Sequence, residues 1–210
     1  AAVVGKYALF AGGMADGWGN ASAKVDVYDT SLTHTMATNL TGIPREYVRG
    51  ASVGNYALFA GGQQFEKKSN VLWEVFMVDA YDASLTKTRA SNLGSNKNRD
   101  AAATVGNHAV FVGSPDSADI YDASLTRTSA AILSTARTGL AATTVGNYAI
   151  FSGGGVADVC DTSLTRSSID TSMTGYDMGA ATIGDYALFA GGQSGENSGT
   201  AYDSVEVYTA

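Results

Sequence analysis

The chain has 210 residues, 45% of them hydrophobic, with 25 Gly, 2 Pro and a single Cys, and carries a net charge of −7. That length and apolar content bury a core without covalent staples, and one Cys excludes an intrachain disulfide. The acidic balance excludes nucleic acid as a partner, because such binding rests on Lys and Arg neutralising phosphates. No apolar stretch approaches the roughly 18 residues of a membrane span, so membrane insertion is not expected.

No basic segment followed by an apolar one marks a signal peptide. The chain starts without Met, so a targeting signal could lie outside it. The first element is a short inner strand of small residues at Ala1-Ala2, followed by Gly-Lys-Tyr-Ala-Leu-Phe-Ala-Gly-Gly at 5–13. The same phrase returns at 54–62, 106–114, 146–154 and 184–192, each time after small residues such as Gly50-Ala51-Ser52 or Ala101-Ala102-Ala103. A second phrase interleaves with it: Tyr28-Asp29-Thr30-Ser31-Leu32-Thr33, then copies beginning at Tyr81, Tyr121 and Cys160, and a last one starting at Val207-Tyr208. Self-similarity over tens of residues means stacked supersecondary units.

The glycines Gly12, Gly61, Gly113, Gly153 and Gly191 are 49, 52, 40 and 38 residues apart. From each Tyr or Cys of the second phrase to the next of these glycines the gap is nearly constant, 31 to 33 residues. The length variation therefore sits in one connector, just after the glycine pair. A rigid frame with one variable loop is how a scaffold carries a binding surface.

Residues 141–172 show the unit most simply. Ala141–Val145 is a small-residue strand ended by Gly146-Asn147, a hairpin dipeptide. Tyr148–Ser152 is a second, apolar strand, Val156–Asp161 a third, and a polar fourth follows Thr165. Such a meander is one twisted antiparallel sheet, and repeated sheets that must bury both faces stack around an axis as a β-propeller. The expectation is an all-β, five-bladed propeller forming one domain over 1–210, with blades near 1–41, 50–93, 101–133, 141–173 and 180–210. The last blade lacks its outer strand, so either the ring closes on a three-stranded blade or further repeats belong to a longer protein. The uncovered strand at Val205–Tyr208 is a pairing hazard.

The glycine doublet after an apolar strand, Val25-Asp26-Val27-Tyr28-Asp29, and an Arg before the next inner strand (Arg45, Arg99, Arg137) together resemble the kelch repeat, of a bacterial or prophage-like kind. The resemblance implies a propeller of four-stranded blades. The Trp that kelch repeats usually carry in the fourth strand is absent here, and the 174–178 junction lacks the Arg.

The long connectors of repeats one, two and five (14–24, 63–77 and 193–204) carry Trp18, Phe65, Trp73, Phe76 and Tyr202. Because strands alternate direction, they share a face with the fourth-to-first loops bearing Arg45, Tyr47, Arg49, Lys97, Arg99 and Arg137. Aromatics with arginines are the types enriched at binding hot spots. If five blades close in chain order, the three long loops crowd one sector.

The recurrent Asp29, Asp82, Asp122 and Asp161 read as turn residues whose carboxylates bond backbone two residues on, rather than as calcium ligands. His108 and Cys160 each occupy a repeat Tyr slot and read as core substitutions. Asn20 and Asn39 match a glycosylation acceptor pattern at chance frequency in so Asn/Ser/Thr-rich a chain. Two scattered His supply no copper cluster, no sialidase-type aspartate box is present, and the glycine doublets lack the Lys-Ser/Thr of a phosphate loop. No metal, cofactor or enzymatic activity is expected.

The first expectation is thus a non-enzymatic binding module offering its loop face to a protein or glycan. The second is a structural segment of a surface, fibre or virion protein that assembles through blade edges or flanking repeats, which places an extracellular or virion surface ahead of the cytoplasm. A glycan-active enzyme ranks last.

Overall fold

The computed structural model of the chain describes residues 1–15, 20–66, 71–94, 98–114, 117–172, 174–195 and 199–210. No helix occurs among them. The first blade holds β1 (Ala2–Val4), β2 (Tyr7–Ala11), β3 (Val25–Tyr28) and β4 (His34–Ala37), paired in that order. The second pairs β5 (Arg49–Val53), β6 (Tyr56–Ala60), β9 (Val78–Asp82) and β10 (Lys87–Arg89). The third holds β11 (Asn98–Val105), β12 (His108–Ser114), β13 (Ser117–Asp122) and β14 (Arg127–Ala131). The fourth holds β15 (Ala141–Val145), β16 (Tyr148–Gly153), β17 (Val156–Asp161) and β18 (Arg166–Ile169). The fifth stops at three strands: β19 (Gly179–Ile183), β20 (Tyr186–Ala190) and β21 (Val205–Thr209). These are five antiparallel blades of a β-propeller, the last without an outer strand.

One expectation needs correcting. The second repeat's connector, read as a loop, forms its own hairpin from β7 (Gln63–Glu66) and β8 (Val71–Glu74). The run Val71-Leu72-Trp73 is β-branched and aromatic, the composition that favours strand.

The chain divides into two compact units, Ala1–Arg99 with Tyr121–Arg127, and Asp100–Ile120 with Thr128–Ala210. Within each unit the core lies between successive blades. In the first unit, Val4, Leu9, Val25 and Val27 of blade one pack against Ala57, Phe59, Tyr81 and Leu85 of blade two. In the second unit, Val145, Ile150, Ala157 and Val159 of blade four pack against Ala187, Phe189 and Tyr208 of blade five. Blade two thus offers a leading face of Ala, an aromatic pair and a turn leucine, and blade five one of Ala and an aromatic pair, to a neighbour's trailing face of Val, Leu, Ile and Ala. Alternation along each strand sends one set to each side.

The turn that supplies the leucine is the same in four repeats. Asp82 Oδ1 accepts from the N–H groups of Ser84 at 2.8 Å and Thr86 at 2.9 Å, while Leu85 N–H donates to Asp82 O at 2.9 Å. Asp29, Asp122 and Asp161 do likewise, as expected of turn aspartates. These bonds hold Leu32, Leu85, Leu125 and Leu164 at φ of 60 to 63°, the left-handed region where a non-glycine residue is uncommon. Glycine would relieve the strain, but Leu85 and Leu164 fill the junction with the preceding blade.

An acid in the third strand completes three of these junctions, Asp79 and Asp158 buried and Glu206 half-buried. Asp79 accepts from the N–H of Thr41 at 3.0 Å, its hydroxyl at 2.6 Å and Arg45 at 2.7 Å, all on the loop leaving the previous blade. Asp158 takes Ser134 N–H at 3.0 Å and Arg137 at 2.6 Å, plus Ser168 at 2.9 Å. Glu206 takes the Thr171 hydroxyl and Ser172 N–H. Burial opposes ionisation of Asp158 and Glu206, but these donors outweigh it and hold both carboxyls below the usual range.

A depressed folded-state pKa contributes stability above the ordinary carboxylate value and loses it as pH falls through the depressed one. The thermal midpoint should therefore drop as pH falls below about 4. Asp158→Asn should start lower at neutral pH and show a shallower acid dependence in melts followed by circular dichroism.

Candidate functional site

The variable connectors are anchored by backbone hydrogen bonds. In the first unit, Gly13 N–H donates to Arg45 O at 3.0 Å, and Arg45 N–H to Ser22 O at 2.9 Å. Glu46 and Gln63 exchange both backbone bonds at 2.9 Å. The first connector, the 44–48 loop and the β7–β8 hairpin are thereby tied into one rim. The glycine doublets make this possible: a Cβ at Gly12 would lie 2.6 Å from Arg45 O, and one at Gly62 2.6 Å from Glu46 O. The fifth repeat uses the same device, with Gly192 against Tyr176 O at 2.6 Å and mutual bonds between Tyr176 and Gln193.

On the first unit's rim the hairpin projects. Val71, Leu72 and Trp73 are 39%, 49% and 53% exposed. Successive residues of a strand point to opposite sides, so these three leave apolar surface on both faces of β8. Register places Trp73 opposite Gln64 and Leu72 opposite Phe65. Next to the Glu46–Gln63 bridge stands Tyr47, 57% exposed and held at φ 56°. A bulky exposed residue in the left-handed region is strained, and such strain clusters at functional sites. Asp177 has the same conformation, φ 55°, at the matching loop of the second unit. Met14 and Ile43, also exposed, extend the apolar character of these loops.

The residues singled out from sequence divide. Phe65, Trp73 and Tyr47 lie on the rim. Phe76 is half-buried beneath it, its carbonyl accepting from Leu93 N–H at 2.9 Å. Tyr202 is in the other unit, half-buried, with its hydroxyl 3.1 Å from that of Thr174. Arg49 starts β5, where its charge helps lower the pKa of the partly buried Ala1 amine, after burial itself. Trp18 and Lys97 lie outside the described residues, as does the side chain of Arg99.

Arg45 and Arg137 correct the expectation of offered guanidinium groups. Arg45 is fully buried against Asp79, and the Arg137 side chain is 8% exposed against Asp158. Both clamp a loop to the next blade. The sequence signal was available: an acid recurs two residues before each repeat Tyr or Cys (Asp26, Asp79, Asp119, Asp158, Glu206), and a buried acid requires a partner. The leucine and valine of β8 were missed because the connector was read as loop.

Cys160 is buried and its thiol is pushed up to about 11 by burial and then Asp161, which leaves it unreactive. Among the described residues no group of three His, Cys, Asp or Glu is placed to hold a metal ion.

The strain at residue 47 is open to measurement. Left-handed backbone costs a non-glycine residue about 1–2 kcal/mol, so Tyr47→Gly should melt at or above the wild-type temperature. Tyr47→Val, β-branched, should melt below it. Equal midpoints for Val and Tyr would show that the site carries no strain.

No protein-family model matches the chain. No curated protein matches it either. Among solved structures it is similar to the one described as "Structure of YjhT", with a TM-score of 0.72 and 13% identity over 91% of this chain and 71% of that chain. At that identity the likeness is one of fold, and it agrees with the propeller architecture.

Proposed function

We propose that this chain is a non-enzymatic binding module, built on kelch-type repeats, that offers the loop rim of its first unit to a protein or glycan. The observation that carries the reading is the β7–β8 hairpin with Trp73, Leu72 and Val71 exposed beside the strained Tyr47. A hairpin that leaves three large apolar side chains in water is a site awaiting cover rather than a device of stability. Trp and Tyr supply large contact area at low entropic cost, which suits either a peptide surface or a sugar face. The kelch-type reading rests on the glycine doublets, the third-strand acid and the loop arginines, which recur in order and act together at the blade junctions.

The test is binding of the purified chain to a glycan array and a displayed-peptide library, followed by titration of the best ligand from each. Trp73→Ala should weaken that binding at least tenfold, about 1.4 kcal/mol, while the melting temperature stays within a few degrees. Unchanged affinity in Trp73→Ala and in Leu72→Ala would overturn the assignment of this rim.

A further inference from the structure

The hairpin on the first unit's rim is covered along one edge and open along the other. Antiparallel pairs alternate between residues that exchange backbone bonds and residues that turn theirs outward. Val75 N–H donates to Gly62 O at 2.9 Å, so two residues further on it is Gln64 and Trp73 that face each other. The backbone groups of Gln63, Phe65, Leu72 and Glu74 therefore point away from the hairpin. On the β7 side, Gln63 gives its N–H and C=O to Glu46, at 2.9 Å in each direction. On the β8 side, the N–H and C=O groups of Leu72 and Glu74 have no partner among the described residues.

The frame does not ask for this edge. The other two long connectors start on the same base: Ser22 N–H donates to Gly13 O with Met14 paired to Ala21, and Tyr202 N–H donates to Gly192 O with Gln193 paired to Ala201. Where β8 has Trp73 and Glu74, those connectors have Asn20 and Ala21, and Thr200 and Ala201. Small and polar residues thus close the base, and the Leu-Trp-Glu of β8 is extra to it. Natural sheet edges are blunted by Lys, Pro or a bulge. Val71–Glu74 contains neither Lys nor Pro and pairs with β7 residue for residue, all four side chains exposed.

We infer that β8 receives an extended peptide of a partner protein as an added antiparallel strand, with a Lys or Arg of that peptide opposite Glu74. This rests on the rim reading above and narrows its partner from protein or glycan to a peptide strand. Main-chain bonds at Leu72 and Glu74 supply the hold, and side chains set the register. Glu46 pairs with Gln63 and Gln63 with Glu74, so these three form one row across the sheet, with two carboxylates and no cation. A strand laid along β8 meets Glu74, Trp73, Leu72 and Val71 in turn. The sequence that answers them is a basic residue followed by three β-branched or aromatic ones, since opposite charges and apolar pairs are the favourable cross-strand neighbours. A second copy of β8 does not answer them. It carries no cation, and in antiparallel pairing through the same outward groups it sets Leu72 or its own Glu74 against Glu74.

Selection of a displayed library of random octapeptides on the purified chain tests the inference, followed by N-methylation of the best binder one residue at a time. Selected peptides should share a Lys or Arg followed by β-branched or aromatic residues. N-methylation should weaken binding about tenfold at alternate positions, where the peptide N–H faces β8, and leave it within about twofold at those between. Selection on Glu74→Lys, an exposed position, should replace the basic residue by Asp or Glu. Binding that falls in Trp73→Ala but is indifferent to N-methylation would leave the rim as the site and overturn strand addition. Enrichment of no peptide, with glycans bound instead, would also overturn it. So would a chain that dimerises without peptide and becomes monomeric in Leu72→Asp, because the edge would then belong to a second copy.

Discussion

A four-stranded sheet with apolar side chains on both faces cannot stay single in water, and here only the neighbouring repeat can cover it. Everything regular about the chain follows from that constraint. The third strand of a middle blade, such as Val78–Asp82, is buried from Val78 to Tyr81. Burying an acid such as Asp79 or Asp158 in a third strand would cost several kcal/mol unpaired, so the loop from the previous blade is drawn in to donate to it. The side-chain packing and the acid–loop bonds fasten the same junction twice.

This fastening explains why the connectors vary freely. The frame needs the glycine doublet, so that the following loop can cross close above it, and it needs the loop's Ser, Thr or Arg at the acid. It makes no demand on what lies between Gly62 and Val75 except that both ends be tied, which the Gly62–Val75 and Glu46–Gln63 bonds achieve. A hairpin with exposed Trp73 fits there without disturbing a blade. Arginines serve the frame and aromatics the rim, a division of labour that composition alone does not show.

Much of the fold was legible because it repeats. Five phrases and their near-constant spacing gave five blades, small inner-strand residues gave the strand order, and the turn aspartates behave as their spacing suggested. What was not legible depends on contacts distant in sequence. Arg45 sits in a polar Pro-Arg-Glu loop and reads as solvated until Asp79, 34 residues later, is seen to close on it. Left-handed Leu85 is set by the need to reach the preceding blade, which no local rule for turns contains. Tyr47 was identifiable as an aromatic on a loop, but its strain comes from the bridge at Glu46.

The central claim is that cover by neighbouring repeats, rather than the intrinsic quality of each sheet, sets local stability. Native-state hydrogen exchange on dilute protein tests it most directly. Amides of the buried strands β6 and β16 should exchange at least roughly tenfold more slowly than those of β8, in the hairpin that no repeat covers. Equal protection in β6, β16 and β8 would contradict the account.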